Sequence, residues 1–188
     1  MSDIVQTVYD LAGPQRNKTF AAAAEFILKQ KNPILIETGC YRGAACDGQS
    51  TLILAMLAKE TGGSFFSFDI SLHHIELAQQ MLSDHDMDEW CAFCLSDSLN
   101  SLKDIRDRKP TFAYLDSYDF ELERPINSQA HQLAEAAILL PKMAPVSAFL
   151  LDDCDIPHGG KARLSSQAIL ACGYKEVATA YQRLFIRQ

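Results

Sequence analysis

Five short apolar runs constrain this chain more than any other feature, each stopped by an acid or a glycine and followed by a segment of helical periodicity. "PILIET" (Pro33–Thr38) breaks at Gly39, and "SFFSFDI" (Ser64–Ile70) carries Asp69 near its end. "EWCAFCL" (Glu89–Leu95) runs into Ser96-Asp97, "TFAYLD" (Thr111–Asp116) ends on Asp116, and "VSAFLLDD" (Val146–Asp153) ends on an acid pair. Residues that are apolar at consecutive rather than alternate positions belong to strands covered on both faces, as in a parallel sheet between helical layers. The intervening segments Ser50–Glu60, Leu72–Asp84, about Asp97–Arg106, Ser128–Leu140 and Gly160–Gly173 have helical spacing. The first is stopped by Gly62-Gly63 and the fourth by Pro141, both ordinary helix ends. "YKEVATAYQRLFIRQ" reads as two short strands with a tight link, an antiparallel edge, while "TVYDL" and "TFAAAAEFILK" read as two outer helices. The expected fold class is therefore α/β: a three-layer αβα sandwich with a seven-stranded, mostly parallel sheet, an antiparallel last strand and N-terminal helices. A single domain is expected over residues 1–188, with helices in 1–32 and the sheet core in 33–188.

Composition narrows the partners. The chain of 188 residues is 48% hydrophobic and 22% charged, the balance of a soluble globular domain. Its net charge of −7 argues against a surface that neutralises phosphates, so no nucleic-acid partner is expected. "MSDIVQTVYDLAGPQRNK" has neither a basic leader nor an apolar core segment, so no secretory signal is read there. The longest apolar stretch, Ala134–Leu151, is interrupted by Pro141, Lys142 and Pro145, and no membrane span is expected. Six scattered cysteines in a chain of this size suggest free thiols and a cytoplasmic protein. "CAFC" lies in a strand pattern, where residues three apart face opposite sides, and no second pair completes a zinc set.

The loop after the first run is the most informative. In open α/β sheets ligands bind beyond the carboxyl ends of the strands, where the strand order reverses. Here the chain reads Glu37-Thr38-Gly39-Cys40-Tyr41-Arg42-Gly43. Tyr41 stands where a dinucleotide fingerprint needs its second glycine, and Glu37 would repel a pyrophosphate. A carboxylate in that place suits a cation. Asp69 closes the next strand, placed to accept from ribose hydroxyls; it lies 26 residues beyond Gly43, against the roughly 20 typical of such pairs. The longer loop "AACDGQ" accounts for the difference.

Glu37-x-Gly39-x-x-x-Gly43, Asp69, Asp97 and "AYLDSYDF" resemble the class I S-adenosylmethionine-dependent methyltransferases, over roughly Ile34 to Arg187. The resemblance implies a Rossmann-like core and S-adenosylmethionine as cofactor. Glu37 would lie near the methionine ammonium, with Thr38 beside it and Gly39 and Gly43 shaping the loop. Ser50 and Thr51 would open the first helix, capping it and touching the carboxylate. Asp69 would hold the ribose with Ile70 and Ser71 next to it, and Asp97 the adenine with Ser98. The pattern is most similar to small-molecule O-methyltransferases whose divalent metal sits between the fourth and fifth strands. On that match Asp116, Asp152 and Asp153 would bind Mg²⁺ or another divalent cation, and Asp116 would also serve in catalysis. His131, four residues before Glu135 on one helix face, is a candidate base or ligand, against the alternative of an exposed polar face. His158 is a candidate substrate contact.

The expected activity is methyl transfer to a small-molecule acceptor, at oxygen, with metal assistance as an option. Two alternatives stay open: binding of the nucleoside ligand without catalysis, and a nicotinamide-dependent oxidoreductase, which Tyr41 and Glu37 disfavour. Oligomeric state stays open as well, a homodimer included.

Overall fold

The computed structural model describes residues 2–43, 49–105 and 108–188. Seven strands form the middle layer: β1 (Ile34–Thr38), β2 (Ser64–Asp69), β3 (Ala92–Leu95), β4 (Phe112–Leu115), β5 (Ser147–Leu151), β6 (Lys175–Thr179) and β7 (Arg183–Arg187). Their order across the sheet is β3-β2-β1-β4-β5-β7-β6. Pairing is parallel from β3 through β5, and β7 runs antiparallel to both β5 and β6. The last strand is thus the reversed one, as expected.

Consecutive strand residues point to opposite faces, and both faces are packed. Leu35, Phe65, Phe112, Tyr114, Ala148 and Leu150 meet helices α1 (Asp3–Leu11), α2 (Gly13–Ile27), α3 (Ser50–Thr61) and α4 (Leu72–Asp84). Ile36, Phe68, Ala113, Leu115, Phe149 and Leu151 meet α5 (Ser98–Asp104), α6 (Pro125–Leu139) and α7 (Ala162–Ala171). This two-sided burial is why the runs read as continuously apolar.

Three boundaries differ from expectation. α6 begins at Pro125 rather than Ser128, because a proline in the first turn gives up only an amide that has no helical partner there. Asp88–Trp90 form a short 3₁₀ turn, so the third strand starts at Ala92. α5 ends at Asp104 with Ile105 at its cap position, and Arg106, its expected end, lies outside the described residues. No helix among the described residues is long and apolar enough to cross a membrane.

α2 is tied across the sheet's far half. Arg16 reaches Asp152 after β5, and Thr19 Oγ1 donates to Gln182 Oε1 at 2.6 Å. Gln182 Nε2 donates to the Tyr114 hydroxyl at 3.2 Å, and the Phe20 and Tyr114 rings lie 5.3 Å apart. The strand order reverses between β1 and β4, which opens a crevice beyond their carboxyl ends.

Candidate functional site

Gly39 forms the floor of that crevice. Its φ is +80°, and a Cβ there would stand 2.6 Å from the Asp116 carbonyl oxygen, so no other residue fits without moving the β4 turn. Its amide donates to Phe68 O at 2.8 Å, and the Asp116 amide donates to Thr38 O at 3.0 Å. The ends of β1, β2 and β4 are locked together by backbone alone.

Two lobes open above this floor and share Gly39, Asp69, Ile70 and Ser117. The larger, about 170 Å³, is lined further by Phe68, Ser96, Asp97, Ser98, Tyr118 and His131. The smaller, about 140 Å³, is lined by Cys40, Tyr41, Arg42, Ser50, His74, Asp116 and Asp119. Sequence reasoning had selected Gly39, Ser50, Asp69, Ile70, Asp97, Ser98, Asp116 and His131 among these. No lining role was expected for Cys40, Tyr41, Arg42, Phe68 or Ser96, and Ser117, Tyr118 and Asp119 lie within the quoted "AYLDSYDF" without individual groove roles. That stretch carries no periodic pattern, so its signals are its place after a strand and its share of the "AYLDSYDF" resemblance.

Asp69 stands at the junction of the lobes. Its Oδ2 accepts from the Cys40 amide at 3.1 Å and its Oδ1 from the Ser71 amide at 2.7 Å, with His74 Nδ1 3.3 Å away. The Cys40 thiol also approaches Oδ2, at 3.6 Å, so four protein groups surround a carboxylate that offers about four acceptor positions. Ser71 caps α4 by accepting from the His74 amide, and Ile70 is 75% exposed at the rim.

Glu37 is fully buried beneath the loop and is not part of either lining. Ser67 Oγ and Thr51 Oγ1 donate to its Oε2 at 2.6 and 2.9 Å, and Oε1 has no hydrogen-bond partner among the described residues. Burial pushes its carboxyl up to about 7, against the partial compensation of these hydroxyls. Thr51 also accepts from the Tyr41 amide at 2.9 Å, which fixes the loop to α3. Neither Ser50 nor Thr51 caps α3, whose cap position is Gln49 with no side-chain cap bond; this corrects the expectation of a capping pair. Thr38 is buried with a hydroxyl that has no partner among the described residues, and Gly43 has φ +127°. The insertion that follows, apart from Gln49, lies outside the described residues.

His131 and Glu135 do not form an exposed polar face. Glu135 is fully buried, accepting from Ser117 Oγ at 2.6 Å and lying 3.5 Å from His131 Nε2. His131 also meets Ser98 Oγ at 3.1 Å and stacks near Tyr118. The Glu135 carboxylate raises the His131 pKa, outweighing the opposite effect of burial. His131 lines the lobe of Asp97 and Asp116 the other lobe, so the two candidate catalytic groups face different lobes. Asp97 caps α5 through the Asn100 amide. His158 sits exposed with φ +61°.

The three acids after β4 and β5 do converge: Asp116, Asp152 and Asp153 place oxygens within 4.8 Å of one another. Two cations of the chain already occupy this cluster. Arg16 donates to both oxygens of Asp152, at 3.0 and 2.7 Å. Lys161 Nζ lies 2.7 Å from Asp116 and 2.8 Å from Asp153, and the Tyr181 hydroxyl donates to Asp153. Burial and the neighbouring Asp152 charge raise the Asp116 carboxyl, opposed by Lys161. The donor set has the oxygen chemistry of a divalent-cation site, but an ion would have to displace a paired ammonium. The residues present therefore do not fit a metal.

No protein-family model and no curated protein matches the sequence. Solved structures do. An O-methyltransferase from Bacillus cereus in complex with SAH aligns over 100% of this chain and 92% of its own, at TM-score 0.65 and 14% identity. The fold is that of the class I methyltransferases. An SAH-bound methyltransferase from Podospora anserina covers 100% of the chain and 88% of its own at TM-score 0.64 and 11% identity. A Clostridium thermocellum protein proposed to be an rRNA methylase covers 88% and 94% at TM-score 0.60 and 16% identity. Within this class I fold the two lobes lie at the strand-order reversal between β1 and β4.

Proposed function

We propose that the protein transfers a methyl group from S-adenosylmethionine to a small-molecule acceptor, at oxygen. The observation that carries this reading is the two-lobed groove pivoting on Asp69. Beneath the lobes, and lining neither, Glu37, Thr38 and Glu135 carry buried polar atoms without a partner among the described residues. Such atoms are costly unless a ligand or water completes them.

In this reading the adenosine occupies the larger lobe, with its ribose on Asp69 and its base beside Ile70, Asp97, Ser98 and His131. The methionine part occupies the smaller lobe, its ammonium held by the negative potential of Glu37 beneath Gly39. The cofactor supplies a methyl carbon on a positive sulfur. An acceptor oxygen bonds to that carbon as the carbon–sulfur bond breaks, so alignment is the main catalytic demand. Asp116, at the rim of the smaller lobe, takes the acceptor proton. Arg16 and Lys161 hold the acid cluster without a metal, and no step is routed through one. A ribosomal RNA acceptor, suggested by the Clostridium neighbour, is disfavoured by the net charge of −7.

Calorimetric titration tests this directly. S-adenosylmethionine and S-adenosylhomocysteine (SAH) should bind, NAD should not, and Asp69→Ala should weaken both. Absence of binding at millimolar cofactor would overturn the reading. Binding without turnover across phenol, carboxylate and amine acceptors would favour a sensor instead.

A further inference from the structure

We infer that Lys161 is a tethered cation standing in the place of a divalent ion, which makes the acid cluster a closed, metal-independent element of the site. The chain builds this arrangement deliberately enough to read. Lys161 leaves only 3% of its side chain exposed, with Nζ between Asp116 Oδ1 and Asp153 Oδ2. The backbone that delivers it is fixed from several sides. Its amide donates to Asp153 O at 3.0 Å. Gly160 has φ +61°, and a Cβ there would stand 2.0 Å from the same carbonyl oxygen, so only glycine fits. Gln129 Nε2, from the buried face of α6, donates to His158 O at 3.1 Å and to Gly160 O at 3.0 Å. On the opposite side Arg16 holds Asp152 through both of its oxygens.

Chemistry separates an ammonium from a metal ion here. A divalent ion keeps open coordination positions and can take two neighbouring oxygens of a substrate at once. An ammonium has three N–H donors, and two of them are committed to Asp116 and Asp153. Lys161 is thus a positioning residue that orients Asp116 toward the smaller lobe and leaves no chelating surface. The acceptor would present a single nucleophilic oxygen rather than a chelating pair. That consequence holds only if the groove carries out methyl transfer, whereas the place of Lys161 among the acids is independent of the reaction.

The test uses Mn²⁺ alone, with no cofactor or acceptor. Wild-type protein should leave the electron paramagnetic resonance signal of free Mn²⁺ intact at millimolar protein and show no rise in Tm. Lys161→Ala should bind the ion, deplete that signal, and gain about 5 °C in Tm at a Mn²⁺ concentration about 100 times its Kd. Adding Asp153→Asn to Lys161→Ala should abolish the gain, a response that a merely structural lysine would not produce. If Lys161→Ala fails to fold alone, Mn²⁺ should restore its folding, and failure to restore it would count against the inference. Two further results would overturn it. One is wild-type Mn²⁺ binding that Asp152→Asn removes. The other is a folded Lys161→Ala that ignores the ion.

Discussion

The two halves of the sheet end in the same kind of residue and treat it in opposite ways. At β1 and β2, Glu37 and Asp69 are met by hydroxyls, backbone amides and one imidazole. At β4 and β5, Asp116, Asp152 and Asp153 are met by a guanidinium and an ammonium. Hydroxyls and amides orient a carboxylate without bringing a fixed opposite charge, so the first half carries a negative field for a cationic ligand wherever its acids are ionised. Two fixed cations offset most of the charge of three acids and hold their geometry, so in the second half Asp116 alone is left to act at the edge of the groove. Position at a strand end therefore does not by itself make an acid a ligand; what faces it does.

The largest effect should come from breaking a matched pair. Arg16→Met leaves Asp152, 1% exposed, without its guanidinium, and should cost about 3–5 kcal/mol in urea unfolding. Adding Asp152→Leu should restore most of that loss. A cost well under 1 kcal/mol for Arg16→Met would erase the contrast between the two halves.

Next comes the pH response of the unmatched half. Glu37 titrates near 7 in the fold against its ordinary 4.5. Between those values the folded protein keeps a proton that the unfolded chain has released, so stability falls as pH rises. The contribution is on the order of 3 kcal/mol, lost progressively from pH 4.5 to 7. Glu37→Gln should flatten the wild-type slope of Tm over that window. A difference between the two curves that does not change with pH would refute it.

Asp69→Ala should weaken SAH binding by about 10- to 100-fold, the range for loss of charge-assisted hydrogen bonds. Equal affinity in variant and wild type would move the ribose elsewhere. The smallest effect belongs to the exposed pair Arg42–Asp119, 41% and 75% exposed at 2.7 Å. Asp119→Ala should change stability by less than about 0.5 kcal/mol, detectable as an unchanged urea midpoint.

The sheet, its reversed last strand and the groove residues on β1 and β2 were legible because runs of consecutive apolar residues and strand-end glycine and acids are local signals. The cations were not. Arg16 lies 136 positions from Asp152, and Lys161 lies 45 from Asp116, and no periodicity links residues so far apart. The inner face of α6 was ambiguous for a different reason. Gln129, Gln132 and Glu135 are all buried, with Gln132 Nε2 donating to Leu115 O and its Oε1 accepting from Ser165. A polar stripe that serves as a bracket for backbone carbonyls has the same spacing as one that faces water. Only the partner elements distinguish the two.

The attachment of α2 also bears on how the chain matures during synthesis. α2 is made before the sheet it packs on, yet Thr19 waits for Gln182, 163 residues later. At typical rates of about 5–20 residues per second that interval is roughly 8–30 s. By then the other partners of Phe20, Phe26 and Ile27 on β1, β2, β4 and β5 have been made, and only the contacts to the β6–β7 hairpin are outstanding. The docking of α2 should therefore be completed only when the β6–β7 hairpin has been made.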